Sequence, residues 1–545
     1  MRMQGWLGLA VTGYLVGCGV APEDMAREPE AATAAEVQAQ ACVPGAAQEV
    51  KQVLPPDHVP QSPLVDEPRP RWMTNVAGTL YFVLDQDGGT ALWKSDGTAS
   101  GTVELKAFPP PSTRERHLQN LTAVGDRLFF ELYDPADGLT LWVSDGTPGG
   151  TRQVKDLSTC DDFSAQYGLQ SLAGALSFLH QPCRAGHVEL WRSDGTASGT
   201  VRVQDFGDGS GISGDARTAS GRALFVQKDG VGPQLWHTDG SAGGAVLVRT
   251  FGPQARVTRT LEVGGAVLFV IQEPATGTWL WRTDGTASGT RALKRLDASA
   301  TVVLTEQHVV DGMAVFAFLD DGPSTELWKT DGTEAGTLRL DTFGTEARFL
   351  GITGPYATVL TRTEDGTHQE LRRLSLAGGG KAFVATLDNP YAGYGLTAGI
   401  QNVVRMGSQV FFSQQIFGMG PAPAQVSLWV TDGTAGGTRV LSTRLSASDE
   451  YWSPLFDTGA GTLLFVGAAN QAGAGLEPWV TDGTVAGTQP VGTAGPGPAG
   501  TLAREFLRVG DQVFFTAIRG APGYALWKVP AAPICTASKP LPRQR

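Results

Sequence analysis

The chain carries the stretch Leu92-Trp93-Lys94-Ser95-Asp96-Gly97-Thr98, followed by Gly101-Thr102, and repeats it along most of its length. Eight copies keep the tryptophan and the aspartate, as Trp93/Asp96, Trp142/Asp145, Trp191/Asp194, Trp236/Asp239, Trp281/Asp284, Trp328/Asp331, Trp429/Asp432 and Trp479/Asp482. Two worn copies, around Arg372 and Trp527, complete a series of ten with a mean spacing of about 48 residues. A fixed period in this range is typical of solenoids, propellers and arrays.

Each repeat unit has the pattern of four short β-strands. The second unit shows it as Leu121–Gly125, Arg127–Leu132, Leu139–Val143 and Thr151–Leu157, which are runs rich in β-branched and aromatic residues separated by turn signals. Four antiparallel strands per unit predict a propeller blade. A stacked β-solenoid is the alternative, although its coils usually run shorter. We therefore predict an all-β fold, a single large β-propeller of about ten four-stranded blades.

The two ends of the repeat region predict how the ring closes. The last unit ends at Leu526-Trp527-Lys528-Val529 and lacks a fourth strand, whereas Gln48–Leu54 resembles the fourth strand Arg152–Leu157. The N-terminal segment is therefore expected to complete the last blade, so that the propeller spans 42–535 and a tail follows at 536–545. Closure removes exposed strand edges. Because propellers usually have four to eight blades, two smaller propellers that divide between 372 and 429 are the alternative.

The residue types of the repeated stretch suit a structural role. Glycine supplies the positive φ of a hairpin turn, the aspartate accepts turn N–H groups, and the tryptophan offers a flat face between blades. The alternative makes the eight aspartates calcium ligands. Calcium takes six to eight oxygens, and one carboxylate per unit does not supply them locally. We therefore expect no metal and no cofactor.

The N-terminus predicts export. Arg2 precedes an apolar run from Trp6 to Val16 that is too short to span a bilayer and fits a signal peptide over 1–17. Leu15-Val16-Gly17-Cys18 resembles a bacterial lipobox, with Cys18 as the lipidated residue; an ordinary cleaved signal peptide is the alternative. Gly19 is not the aspartate of the retention signal, which implies an outer-membrane lipoprotein on the periplasmic or surface side. Residues 18–41 then form a flexible acidic tether.

Cysteine usage agrees with an oxidising compartment. Apart from Cys18 the chain has Cys42, Cys160, Cys183 and Cys535, and an even number suggests disulfides. Three connectivities exist. We favour Cys160–Cys183, which are close in sequence, and Cys42–Cys535, which joins the two ends; four free thiols are the alternative.

Composition and motif searches exclude several functions. The 545 residues carry a net charge of −12, so nucleic-acid binding has no basic surface to support it. The seven histidines show no HExxH spacing, and neither GxSxG nor a P-loop is present. Catalytic residues are therefore not assigned, and an enzymatic activity is not expected.

Places that break the repeat are the better candidates for ligand binding. Two predicted loops carry aromatics next to carboxylates, one with Tyr391 and Tyr394 and the other with Tyr451 and Trp452. Exposed aromatics of this kind suit carbohydrate stacking or a protein interface, whereas ordinary loop variation is the plainer interpretation.

The run Glu189-Leu190-Trp191-Arg192-Ser193-Asp194-Gly195-Thr196 resembles the ELWxxDGT repeat family of exported bacterial proteins. The resemblance covers roughly 70–530 and implies an exported repeat protein, often a lipoprotein, without an established activity. We predict a lipid-anchored binding or scaffold propeller, whose partner is an extracellular polysaccharide or an envelope protein. A propeller hydrolase or lyase acting on polysaccharide and a purely structural envelope component are the alternatives.

Overall fold

In the computed structural model the described residues all lie within Cys42–Cys535. The structure describes residues 42–43, 45–53, 69–86, 89–109, 117–134, 138–158, 165–182, 186–297, 303–319, 324–344, 347–363, 366–390, 392–394, 397–417, 425–445, 455–468, 476–492, 503–518 and 523–535. These residues form strands, apart from turns and one 3₁₀ turn at Ala392–Tyr394. Among them, no helix is long and apolar enough to cross a membrane.

The strands form ten blades in a ring. Blades 1 to 3 consist of β3 (Arg71–Val76), β4 (Thr79–Gln86), β5 (Gly89–Ser95), β6 (Val103–Phe108); β7 (His117–Val124), β8 (Arg127–Asp134), β9 (Gly138–Ser144), β10 (Arg152–Asp156); and β11 (Ala165–Leu172), β12 (Ala175–Gln181), β13 (Glu189–Ser193), β14 (Val201–Asp205). Blades 4 to 6 consist of β15 (Ser210–Thr218), β16 (Gly221–Lys228), β17 (Gly232–Thr238), β18 (Ala245–Thr250); β19 (Arg256–Val263), β20 (Ala266–Glu273), β21 (Gly277–Thr283), β22 (Arg291–Asp297); and β23 (Val303–Val310), β24 (Met313–Leu319), β25 (Thr325–Thr330), β26 (Leu338–Phe343).

Blades 7 to 9 consist of β27 (Ala347–Thr353), β28 (Tyr356–Arg362), β29 (Gln369–Ser375), β30 (Lys381–Leu387); β31 (Thr397–Met406), β32 (Gln409–Phe417), β33 (Gln425–Thr431), β34 (Arg439–Leu445); and β35 (Phe456–Asp457), β36 (Leu463–Ala468), β37 (Leu476–Thr481), β38 (Gln489–Pro490). Blade 10 consists of β39 (Arg504–Val509), β40 (Gln512–Ile518), β41 (Tyr524–Pro530) and the N-terminal β2 (Gln48–Gln52). Outside the blades, β1 (Cys42–Val43) pairs with β42 (Ile534–Cys535). Blades 8 and 9 are additionally joined by the pairing of Leu445 with Gly467.

The second strand of each blade supplies most of the core because blades pack against it from both sides. In β8, Phe130 packs in the cluster shared with blade 1, whereas its neighbour Phe129 packs in the cluster shared with blade 3. Successive strand residues face opposite sides of a sheet, so an unbroken apolar run serves two cores. Both rings are fully buried.

The repeated tryptophan sits on the third strand and stacks against a phenylalanine of the second strand. Trp142 and Phe130 are directly opposed across the strands, with ring centroids 6.1 Å apart and planes inclined by 22°. The ammonium group of Lys106, on the fourth strand of the preceding blade, lies 5.3 Å from the centroid of the Trp142 ring. Each tryptophan arranged in this way contributes to two neighbouring blades.

The Asp-Gly-Thr turn between the third and fourth strands is a closed hydrogen-bonded unit. Asp96 Oδ1 accepts bonds from the amide of Thr98 (2.8 Å) and from its hydroxyl (2.7 Å), and the same hydroxyl oxygen accepts the amide N–H of Gly101 (2.9 Å). A Cβ on Gly101 would stand 2.0 Å from Asp96 Oδ1. The position of the carboxylate therefore requires glycine as the second glycine of the repeat.

Two further hydroxyls join the turn to the strands. Ser95 Oγ accepts the amide N–H of Gly97 at 3.0 Å and lies 2.7 Å from Thr102 Oγ1, which donates to the carbonyl of Thr98. Gly97 has a φ of 89°, in the region that favours glycine. The motif thus specifies its own turn by local bonds.

First strands of successive blades contact one another, as β3 contacts β7 and β7 contacts β11, which places them around the central channel. The ring closes where β39 contacts β3 and where β2 pairs with β41 as the fourth strand of blade 10. The predicted single propeller of ten blades, closed by its N-terminal segment, is confirmed. The two-propeller alternative is not what the chain adopts.

Contacts at the closure repeat those between other blades. Lys51 of β2 donates to the carbonyl of Thr102 at 2.7 Å, as Lys155 of β10 donates to Thr200 at 3.1 Å. Lys528 likewise donates to the carbonyl of Gly97 at 2.9 Å. The N-terminal strand is therefore equivalent to the fourth strand of other blades.

Candidate functional site

The first strands contain the features that distinguish one part of the ring from the rest. In four neighbouring blades, 10, 1, 2 and 3, the first strand bulges at a residue with positive φ, namely Glu505 (58°), Trp72 (56°), Asn120 (56°) and Gly168 (63°). Three of these residues are not glycine, and a left-handed backbone there costs on the order of 1–3 kcal/mol. Strain of this kind tends to be kept at functional sites.

The bulge has a clear effect on packing. The residue after each left-handed position is apolar and packs against a core cluster between blades, and these residues are Phe506, Met73, Leu121 and Leu169. Because the bulge turns this apolar residue toward the core, the left-handed residue before it is released from the inter-blade packing. Trp72 accordingly stays 47% exposed.

Charged groups lie next to Trp72 on β3 and on the neighbouring first strand β39. Arg71 forms an ion pair with Asp85 of the second strand. Burial raises the pKa of Glu505 above its usual range, and the nearby charges of Arg69, Arg504 and Arg71 oppose that shift. The Nε atoms of Arg69 and Arg71 have no hydrogen-bond partner among the described residues.

Blade 2 adds a buried carboxyl group beside its bulge. Glu131 is fully buried on the second strand and accepts hydrogen bonds from Asn120 Nδ2 (2.7 Å) and Gln119 Nε2 (3.2 Å). Burial raises the pKa of Glu131 from 4.5 to about 7, against the effect of these two bonds. Corresponding positions in blades 1 and 3 are apolar, Val83 and Leu179. Glu131 therefore serves to hold the polar bulge of its own blade.

We name as the inner arc the residues Arg69, Arg71, Trp72, Asn120, Arg504 and Glu505. It combines an exposed indole, guanidinium groups and a carboxyl on the first strands and the residues leading into them. Such a set can stack on a sugar ring and hydrogen-bond its hydroxyls. Of the 13 tryptophans, nine belong to repeat copies. A search for tryptophans outside the repeat gives Trp72 as one of four, with Trp6, Trp279 and Trp452.

The loop residues predicted to bind ligand are not brought together in the described part of the chain. Tyr391, Tyr451 and Trp452 lie outside the described residues, and Tyr394 belongs to the 3₁₀ turn Ala392–Tyr394, where only its backbone is described. Cys18, Cys160 and Cys183 also lie outside the described residues. Cys42 and Cys535 are directly opposed in the pairing of β1 with β42, and their disulfide stays a prediction.

One group of His, Asp and Glu side chains in the described residues is compact enough to hold a metal ion. His187, Glu189 and Asp205 of blade 3 each present a ligand atom, and these atoms lie within 4.8 Å of one another. The repeated aspartates are not part of it. Each accepts the amide of the residue two positions on, as Asp194 does from Thr196 at 2.8 Å.

The aspartates of blades 8 and 9 also bond within their own turns. Asp432 Oδ1 accepts the amide N–H of Thr434 at 2.9 Å, and Asp482 Oδ1 accepts that of Thr484 at 2.8 Å. Within the described ranges, neither Asp432 nor Asp482 lies in a group of three potential metal-binding side chains. The calcium-ligand alternative for these two residues therefore has no support in the geometry, which is that of a structural turn.

No protein-family model matches the sequence, and no curated protein matches it. Among solved structures, the chain is similar to a prolyl endopeptidase, with 13% identity and a TM-score of 0.36 over 67% of this chain and 54% of that one. It is also similar to puromycin hydrolase, with 13% identity and a TM-score of 0.31 over 69% of this chain and 62% of that one.

The chain thus spans 54% to 62% of the length of these two hydrolases. The alignments carry no inference about activity, and no residue role is transferred from them. What fold and sequence define is a class of protein, the closed ten-bladed β-propeller built from an Asp-Gly-Thr repeat.

Proposed function

We propose that the protein is a binding propeller that holds an extracellular polysaccharide at the inner arc of its channel. The observation that carries the proposal is Trp72, which is 47% exposed on a first strand and kept in a strained left-handed conformation. An exposed indole costs solvation, and a left-handed tryptophan costs backbone energy, so two penalties coincide at one residue.

Neighbouring groups supply the polar part of such a site. Guanidinium groups are planar multiple donors that suit sugar hydroxyls and carboxylates, and Arg71 directly precedes Trp72 on β3. Export through the predicted signal peptide and lipidation at Cys18 would place the propeller among envelope polysaccharides. An envelope protein as the partner is the alternative, and it predicts that the unchanged protein retains no polysaccharide in the experiment that follows.

The test is a change of Trp72 to asparagine, measured as retention of purified extracellular polysaccharide from the producing bacterium. Asparagine tolerates the left-handed backbone and occupies the equivalent position in blade 2, at Asn120. We expect binding to fall at least about tenfold, the loss of one sugar-stacking contact of roughly 1.4 kcal/mol, while thermal stability is unchanged or rises.

The matched control is Phe383→Ala. Phe383 is an aromatic side chain, 56% exposed, on the fourth strand of blade 7. Its loss should leave retention unchanged. Equal retention by Trp72→Asn and the unchanged protein would overturn the proposal, and time-dependent shortening of the polysaccharide would favour the hydrolase or lyase alternative.

A further inference from the structure

Blade 3 carries a cluster that the binding proposal does not use. His187 Nε2 lies 3.7 Å from Glu189 Oε1 and 3.9 Å from Asp205 Oδ1. Two ligand atoms bound to one zinc ion at about 2.1 Å stand roughly 3.4 Å apart in tetrahedral geometry. The two distances from His187 are therefore within about 0.5 Å of metal-binding separations, and all three ligand atoms lie within 4.8 Å of one another.

Strand register explains how the cluster forms. Glu189 of β13 is directly opposed to Asp205 of β14 on one side and to His180 of β12 on the other, so the three side chains share one face. His180 is 2% exposed, and its Nδ1 has no hydrogen-bond partner among the described residues. An imidazole whose Nδ1 has no hydrogen-bond partner among the described residues is thus buried on the face that carries the two carboxylates.

A third carboxylate lies near the other nitrogen of the His187 ring. His187 Nδ1 is 3.5 Å from Asp208 Oδ1, on the other side of the ring from the Nε2 that faces Glu189. Metal-binding histidines commonly direct their second nitrogen to a carboxylate, which orients the ring. In blade 3 the Asp208 carboxylate stands near Nδ1, which has no hydrogen-bond partner among the described residues. The Asp208 side chain is 98% exposed and has room to rotate into such a bond.

Blade 6 has the glutamate of the repeat but lacks counterparts of His180, His187 and Asp205. Glu326 accepts the indole N–H of Trp328 at 2.9 Å and a bond from Arg339 at 2.7 Å. Its directly opposed neighbours are Phe318 and Thr342. The glutamate with its tryptophan and arginine is therefore a structural element of the repeat.

Blade 3 keeps that element in Glu189, Trp191 and Arg202. It replaces the phenylalanine by His180 and the threonine by Asp205, and it adds His187. Each of these three differences introduces a side chain that can bind a metal ion.

We propose that His187, Glu189 and Asp205 bind one divalent transition-metal ion of the zinc class, with His180 beside it and Asp208 orienting His187. One imidazole with two carboxylates suits Zn²⁺ better than Ca²⁺ or Mg²⁺, which prefer oxygen ligands alone. Arg202 donates to Glu189 and lies 3.3 Å from Asp205 Oδ2, so it balances the carboxylates when no ion is bound. The Arg202 side chain is 49% exposed, so it can turn toward solvent when an ion binds.

The test is equilibrium dialysis and calorimetry of the chelator-treated full chain with Zn²⁺, and visible absorption with Co²⁺. We expect one equivalent to bind. Substituting His187 by alanine should weaken binding at least about tenfold, and Asp208→Asn should weaken it by about tenfold.

Arg202→Ala gives the sharper outcome because a gain cannot come from misfolding. Removing the competing cation should tighten Zn²⁺ binding several-fold, whereas Arg339→Ala at the equivalent position of blade 6 should have no effect. The proposal is overturned if neither the unchanged protein nor Arg202→Ala binds Zn²⁺ saturably. Binding that His187→Ala leaves unaltered would overturn it as well, since thiols or other groups would then hold the ion.

Discussion

At the scale of single residues, the pKa of one carboxyl group is lowered and that of another is raised. Asp331 is exposed in its turn, and the hydrogen bond from the Thr333 hydroxyl lowers its pKa. Glu131 is fully buried, and burial raises its pKa to about 7. Hydrogen bonds to the charged form and desolvation of the charged form act in opposite directions. These two carboxyls should therefore affect stability in different pH ranges.

Glu131 should make the propeller less stable as the pH rises. Between pH 4.5, its value when unfolded, and about pH 7, the folded chain holds a proton that the unfolded chain has lost, so the free energy of unfolding falls across this window. The fall should be up to about 3 kcal/mol. Glu131→Gln stays neutral and should remove this slope.

The measurement is denaturant unfolding of both proteins from pH 4 to pH 8. Glu334→Gln, at an exposed turn position, is the control and should keep the slope. Parallel curves for the unchanged protein and Glu131→Gln would show that Glu131 has no raised pKa.

At the scale of elements, the turn motif explains why eight of the ten copies form the same turn despite their sequence variation. In the eight copies that keep the aspartate, from Asp96 in blade 1 to Asp432 and Asp482 in blades 8 and 9, its Oδ1 accepts the amide of the residue two positions later. The bonds lie within one turn, so each unit specifies its hairpin without its neighbours.

Asp331→Ala should therefore destabilise the protein by about 1 kcal/mol, the usual net worth of such bonds. The lowered pKa of Asp331 means that its stabilisation is present at neutral pH and is lost as the pH falls below 3.8 through the folded value. The difference between the two proteins in urea midpoint should shrink in acid. Glu334→Ala on the same turn is the control, and an equal loss there would contradict the assignment.

At the scale of the whole molecule, closure decides whether ten blades make one ring. Val50 on the N-terminal strand and Val154 in blade 2 occupy the same bulge position before a lysine, and they are 5% and 4% exposed. If β2 is an equal member of its blade, both valines hold an inter-blade core together.

Val50→Ala and Val154→Ala should then each cost about 2 kcal/mol. The measurement is the unfolding midpoint of both variants under the same conditions. If Val50→Ala leaves the unfolding midpoint unchanged while Val154→Ala lowers it, the ring stays folded without its N-terminal strand.

The sequence by itself determined the period, the four strands per blade, the turn chemistry and the closing segment. These features depend on neighbours a few residues apart, or on the likeness of Gln48–Leu54 to other fourth strands. The alternation of residue types within about 48 positions was enough to predict the propeller.

Only the tertiary structure decided where the ring is asymmetric. The exposure of Trp72 depends on a bulge in the register between β3 and β4, and the raised pKa of Glu131 depends on packing between blades. His180, Glu189 and Asp205 meet because three strands align in one register. Local sequence patterns predict elements, whereas sites arise where residues distant along the chain are brought to one face.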